Sequence, residues 1–96
     1  MDVLVTYDID THTRAGEIRL ARVAKVCERF GTRVQYSVFE CRLSDVAFQK
    51  LIVEIEGIIE AAIDSVHFYR FAGVIRESRL VVGRPKPREL GDPWIV

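Results

Sequence analysis

A chain of 96 residues, 49% of them hydrophobic, can bury one real core but has no room for separate catalytic and binding domains. Fourteen Lys and Arg against fourteen Asp and Glu give a net charge of zero, which excludes a globally basic nucleic-acid binder. No basic leader precedes an apolar segment and no run reaches membrane-spanning length, so the expected location is the cytoplasm, with no membrane partner.

The first element is Val3-Leu4-Val5-Thr6-Tyr7-Asp8-Ile9-Asp10, a β-branched and aromatic run that reads as a buried strand with Asp8 at its exit. Strand ends are where such folds keep their sites, so Asp8 is the first candidate functional residue. Thr11 or Thr13 then caps a helix from about Arg14 to Phe30. Its apolar residues fall mostly on one broad face, Arg22, Lys25 and Arg29 share the other, and Gly31 is the expected C-terminal stop. Residues 33–43 are rich in strand formers but long for one strand, so a break near Tyr36 to Val38 is expected, although no Gly or Pro marks it. Ser44 caps a second helix carrying Phe48, Leu51, Ile52, Ile55, Ile58 and Ile59 at helical spacing, with Gly57 loosening it inside. Strands are predicted at Val66–Phe71 and at Arg79–Val82, the latter closed by Gly83. Beyond it, Arg84-Pro85-Lys86-Pro87-Arg88 suits an extended arm.

The domain division is therefore 1–83 for the folded body and 84–96 for the arm. The order β, α, β(β), α, β, β with two amphipathic helices predicts an α+β sandwich of the ferredoxin-like, split βαβ kind. Both helices lie on one face of a mainly antiparallel sheet. The first strand is apolar on both sides, so the second sheet face also needs cover, most economically from a second copy in a two-fold homodimer. The terminal Trp94, Ile95 and Val96 are costly to leave in water, at roughly 1.5–3 kcal/mol each, and are predicted to add to a sheet edge, preferably a partner's, as an assembly element.

Charge is unevenly spread. Residues 11–42 hold seven basic groups against three acids, whereas residues 43–64 hold Lys50 against five acids. Such polarity suits a directional contact with a polyanion, but on charge alone ordinary solvated helix faces explain it slightly better. Cys27 and Cys41 have no metal-ligand spacing and are expected as buried reduced thiols. His12 and His67 are too isolated for a zinc site. For Asp8, a metal ligand and a turn-capping carboxylate are evenly matched readings from the residues alone. One Asp is a poor Mg²⁺ site, but two brought together by symmetry need a cation or a proton between them. Asp10 is a candidate further oxygen ligand. No Ser/His/Asp or Cys/His constellation competes.

Tyr7-Asp8-Ile9, the helical Arg19-Leu20-Ala21-Arg22-Val23-Ala24-Lys25 and above all Gly31-Thr32-Arg33-Val34-Gln35-Tyr36-Ser37-Val38-Phe39-Glu40 resemble the second CRISPR-associated adaptation protein family. That family is the small subunit paired with the spacer-acquisition integrase. Gly83-Arg84-Pro85-Lys86-Pro87 and Trp94-Ile95-Val96 are similar to its tail. The resemblance implies a homodimer that bridges integrase dimers and supports the DNA to be inserted, some members being metal-dependent endonucleases on RNA or duplex DNA. It implies that Asp8 is the catalytic, metal-binding aspartate, with Mg²⁺ or another divalent cation. It places Arg14, Arg19, Arg22, Arg33 and Phe39 at nucleic-acid-facing positions, the partners being double-stranded DNA, single-stranded RNA and the integrase subunit. The cysteine-containing segment many relatives carry after the third strand run is replaced here by Ala72-Gly73-Val74-Ile75-Arg76. From the residues alone, Phe39 is more often a core ring than a stacking platform, by roughly two to one. The alternatives are a ferredoxin-like interaction domain unrelated to nucleic acid, or a toxin-type endoribonuclease not tied to spacer acquisition.

Overall fold

Strand β1 (Asp2–Asp8) is the central element of a computed structural model that describes residues 1–83. It pairs antiparallel with β3 (Val38–Arg42) on one side and β4 (Ser65–Phe71) on the other, while β2 (Gly31–Gln35) borders β3. The sheet order is β2-β3-β1-β4, every pairing being antiparallel. Alternation along β1 sends Val3, Val5 and Tyr7 to one face and Asp2, Leu4, Thr6 and Asp8 to the other. Helices α1 (Arg14–Phe30) and α2 (Asp45–Glu56) both cover the Val3/Val5/Tyr7 face. One cluster joins those side chains to Val23, Val26 and Cys27 of α1 and Phe48, Leu51 and Ile55 of α2. This is the ferredoxin-like α+β sandwich that the element order predicts.

The local signals act as expected in most places. Thr13 Oγ1 accepts from the Gly16 N–H and Ser44 Oγ from the Ala47 N–H, each relieving one orphan donor of a first turn. The long run at 31–42 breaks at Tyr36-Ser37, beside an irregularity between Arg33 and Gln35. Cys27 and Cys41 are buried free thiols, and burial pushes them up to about 12 and about 11 respectively, which makes both poor nucleophiles.

Two expectations require correction, and a third, Gly31 as the stop of α1, holds with a different backbone conformation. Gly31 does follow α1, but in extended backbone as the first residue of β2. Its lack of a side chain serves close approach instead, because a Cβ there would stand 2.4 Å from Cys41 Sγ and 2.5 Å from the Glu40 carbonyl oxygen. Helix α2 ends at Glu56 with Gly57 as its C-cap, so Ile58 and Ile59 pack on the core from the following turn rather than from a loosened helix. The strand expected at Arg79–Val82 does not form. A single turn, α3 (Ile75–Ser78), precedes it, and Leu80 and Val82 are 88% and 91% exposed. A β-prone run becomes a strand only where an edge accepts its backbone, and within this subunit none does. The arm at 84–96, with Trp94, Ile95 and Val96, lies outside the described residues.

The α3 segment is tied to the open sheet face by charge. Asp2 accepts from Arg42 Nε at 2.8 Å and from the buried Ile75 N–H at 2.9 Å, and Arg79 pairs with Glu40 on β3. Between this segment and the sheet runs a groove of about 1250 Å³ bordered by Leu4, Thr6, Val38 and Leu80. The face that the sequence expects a second copy to cover is thus partly lined by α3 and the residues that follow it.

Candidate nucleic-acid and metal site

The end of β1 gathers three carboxylates with different fates. Asp8 is exposed on the sheet face opposite the helices, paired across from Ser65, and its carboxylate makes no hydrogen bond or ion pair among the described residues. Asp10, in the loop beyond, is engaged locally. Its Oδ1 accepts from the His12 N–H at 3.0 Å and meets His12 Nδ1 at 2.9 Å, and these bonds hold it below the usual carboxylate value. Asp10 is therefore a turn-forming carboxylate in this subunit, of the Asx type.

Asp64, just before β4, is the most engaged of the three. Its side chain has no exposed surface and accepts four hydrogen bonds, from Arg19 Nε (2.7 Å), Arg19 Nη2 (3.3 Å), the Asp10 N–H (2.9 Å) and the Glu60 N–H (2.8 Å). The Arg19 guanidinium is the largest cause of a value lowered to about 2, against the opposing effect of burial. Sequence reading passed over Asp64. The signal was a carboxylate directly after the largely apolar stretch Ile58 to Ile63, whose other acid is Glu60, at a place where burial demands a partner.

The basic candidates separate in the same way. Arg14 and Arg22 are exposed and make no ion pair among the described residues, as is Lys25, whereas Arg29 pairs with Glu54 across to α2. Arg19 is only 15% exposed at its side chain and is committed to Asp64, so its guanidinium does not face outward with the others. Arg33 lies with its guanidinium carbon 5.1 Å from the centre of the Phe39 ring, a cation–π distance. Phe39 has no exposed surface and stacks on Tyr7 at 6.2 Å between ring centres, so it cannot offer a stacking platform to a base. The ring expected at the cleft is instead part of the core beneath the helices. Burial raises the Tyr7 phenol above its ordinary value, with Arg33 opposing, and its hydroxyl donates to the Tyr36 carbonyl.

Among the described residues no three or more His, Cys, Asp and Glu side chains converge as a metal cluster. One subunit thus presents a single uncommitted carboxylate at this strand end. A hard divalent ion requires about six oxygen ligands, so one chain does not fit it alone. No helix among the described residues is long and apolar enough to cross a membrane.

Comparison with known proteins gives these features a context. Residues 1–74 match the family model described as CRISPR associated protein Cas2. The chain is 43% identical to the CRISPR-associated endoribonuclease Cas2 of Chlorobaculum tepidum over the full length of both. It is 37% identical to the CRISPR-associated endonuclease Cas2 of Halalkalibacterium halodurans over 99% of each. Among solved structures, Streptococcus pyogenes Cas2 superposes with a TM-score of 0.78 at 41% identity, covering 86% of this chain and 100% of that one. A matching family model across three quarters of the sequence, full-length relatives and a solved family structure of closely similar backbone together show that this chain belongs to the CRISPR-associated Cas2 family.

Proposed function

We propose that the protein is a homodimeric, nucleic-acid-binding subunit of the CRISPR adaptation complex in the cytoplasm, bridging integrase subunits and supporting DNA. We propose further that its two Asp8 carboxylates together hold a divalent cation, Mg²⁺ or a similar ion, for phosphodiester hydrolysis. The observation that carries the reading is the contrast among the strand-end acids. Asp10 and Asp64 are consumed by hydrogen bonds, whereas Asp8 stands exposed and, among the described residues, unpaired on the sheet face opposite α1 and α2. The relatives named above as endoribonuclease and endonuclease support the same reading.

Such an ion, when bound, neutralises phosphate charge and acidifies a coordinated water. The chain's own residues do the rest. Asp8 supplies oxygen ligands, and Arg14, Arg22 and Lys25 bind backbone phosphates from the outer face of α1 without reading sequence. Arg33, held over Phe39, adds a cation whose position is fixed by packing.

Asp8→Asn tests the chemistry. It is expected to lower cleavage of single-stranded RNA and duplex DNA in Mg²⁺ by more than about 100-fold, with dimerisation and duplex affinity unchanged. Spacer acquisition in cells supplying the integrase is the second readout. Acquisition that survives Asp8→Asn identifies the scaffold as the physiological role. Absence of both acquisition and duplex binding in the unaltered protein would overturn the whole reading. The phosphate contacts are checked separately by salt titration. Arg22→Ala is expected to weaken duplex binding for every sequence alike and to flatten the dependence of log K on log salt by about 0.9 for each contact removed.

A further inference from the structure

We infer that Arg19 is a positioning residue: acting through Asp64, it fixes the backbone at Asp10 and thereby the direction in which Asp8 leaves β1. Both polar groups of the Asp10 peptide backbone are held by this one pair. The Asp10 N–H donates to Asp64 Oδ1 at 2.9 Å, and the Asp10 carbonyl accepts from Arg19 Nη2 at 3.3 Å. Asp64 also accepts from the Glu60 N–H at 2.8 Å, and the Asp64 N–H donates to the Glu60 carbonyl at 2.8 Å. The turn leading into β4 is thereby fixed to the same carboxylate. Asp64 immediately precedes Ser65, the residue paired with Asp8 across the sheet. Asp8 therefore lies two residues from one anchored point and directly opposite the neighbour of another.

The third wall of this clamp is Gly16. A Cβ there would stand 1.9 Å from the Asp10 carbonyl oxygen and 3.1 Å from the Thr11 Cα, so the first turn of α1 presses on the same backbone. Bidentate arginine is required because one planar fork reaches Asp64 Oδ1, Asp64 Oδ2 and the Asp10 carbonyl at once. A lysine ammonium keeps the charge but not that geometry. Ligand geometry must be held to about half an ångström to serve a metal or a reacting phosphate, which gives the clamp its consequence for function. The inference rests on the reading of Asp8 as a metal-holding carboxylate.

Two variants test it. Arg19→Lys retains a cation able to bind phosphate and dismantles the fork, whereas Gly16→Ala changes no charge and displaces the Asp10 carbonyl. In each, kcat and KM for a single-stranded RNA, the Mn²⁺ dissociation constant by electron paramagnetic resonance titration, duplex DNA affinity and the amide shifts of Asp8, Ile9 and Asp10 are compared with the unaltered protein. Positioning predicts a 10- to 100-fold fall in kcat and a comparable weakening of Mn²⁺ binding in both, with KM and duplex affinity within about twofold. Retention of kcat and Mn²⁺ affinity in Arg19→Lys would overturn it, as would a loss confined to duplex affinity, the mark of a phosphate contact. If Arg19→Lys fails to fold, Gly16→Ala decides. If the unaltered protein neither cleaves RNA nor binds Mn²⁺, the metal reading of Asp8 fails by itself. The clamp is then judged on the three amide shifts, displaced in both variants if it exists and unmoved if it does not.

Discussion

Replacing Phe39 with alanine is expected to lower the unfolding free energy by about 3–5 kcal/mol, a large fraction of the 5–15 kcal/mol typical of a whole domain. The ring has no exposed surface, stacks on Tyr7 and carries Arg33 above it, so truncation leaves a cavity and removes the support of a surface cation together. Chemical denaturation of the purified protein checks the stability, and a duplex-binding titration on the folded fraction checks the function. Phe39→Leu separates the two roles that an aromatic residue at this position suggests. Leucine refills most of the volume but cannot stack on a base, so both stability and duplex affinity should return close to their original values. Restored stability with lost affinity would mean that the ring leaves the core to meet a nucleotide.

The second large effect is expected at Asp64. Asp64→Ala leaves Arg19 facing a buried gap and strips the Asp10 and Glu60 N–H groups of their acceptor, and breaking a buried pair in this way costs about 3–5 kcal/mol. The pH dependence has a definite sign. Asp64 lies below its ordinary 3.8 in the folded state, at about 2, so over that interval the unfolded chain binds more protons. Stability therefore rises with pH through the window. The contribution is complete above about pH 4 and is lost as the pH falls toward 2. Asp2, lowered to about 2 first of all by its bond to Arg42, follows the same direction, and its loss releases α3 from β1. Thermal melting of the unaltered protein and of Asp64→Asn between about pH 6 and pH 2.5 should show the two curves converging on the acid side. A gap that stays constant to the lowest pH would mean that Asp64 acts by shape alone.

The pairing of Arg19 with Asp64 also changes how the basic strip on α1 is understood. The family resemblance places Arg14, Arg19 and Arg22 together at nucleic-acid-facing positions. Burial and hydrogen bonding divide them into two exposed groups and one committed to holding the fold. Arg14 and Arg22, which make no ion pair among the described residues, lie on α1, while Asp8 lies on the opposite face of the sheet. A nucleic acid touching both must pass around the strand end, where the Asp10 turn and the start of α1 form the rim.

Local order was written in the residues. β-branched runs placed β1 and β4, and apolar helical spacing behind a capping residue placed both long helices, because hydrophobic periodicity and first-turn hydrogen bonds act over a few residues and need no knowledge of the rest of the chain. Partners distant along the chain were another matter. That Asp64 would meet Arg19 across 45 positions, that Gly31 would be needed for the approach of Cys41, and that Leu80 and Val82 would find no edge to join all depend on which surfaces the sheet order brings together. The same physics governs the site. The sequence marked Asp8 as a polar residue at the end of an apolar strand, but only the folded chain, by spending Asp10 and Asp64 on hydrogen bonds of its own, left Asp8 as the one of these three strand-end carboxylates without a partner among the described residues.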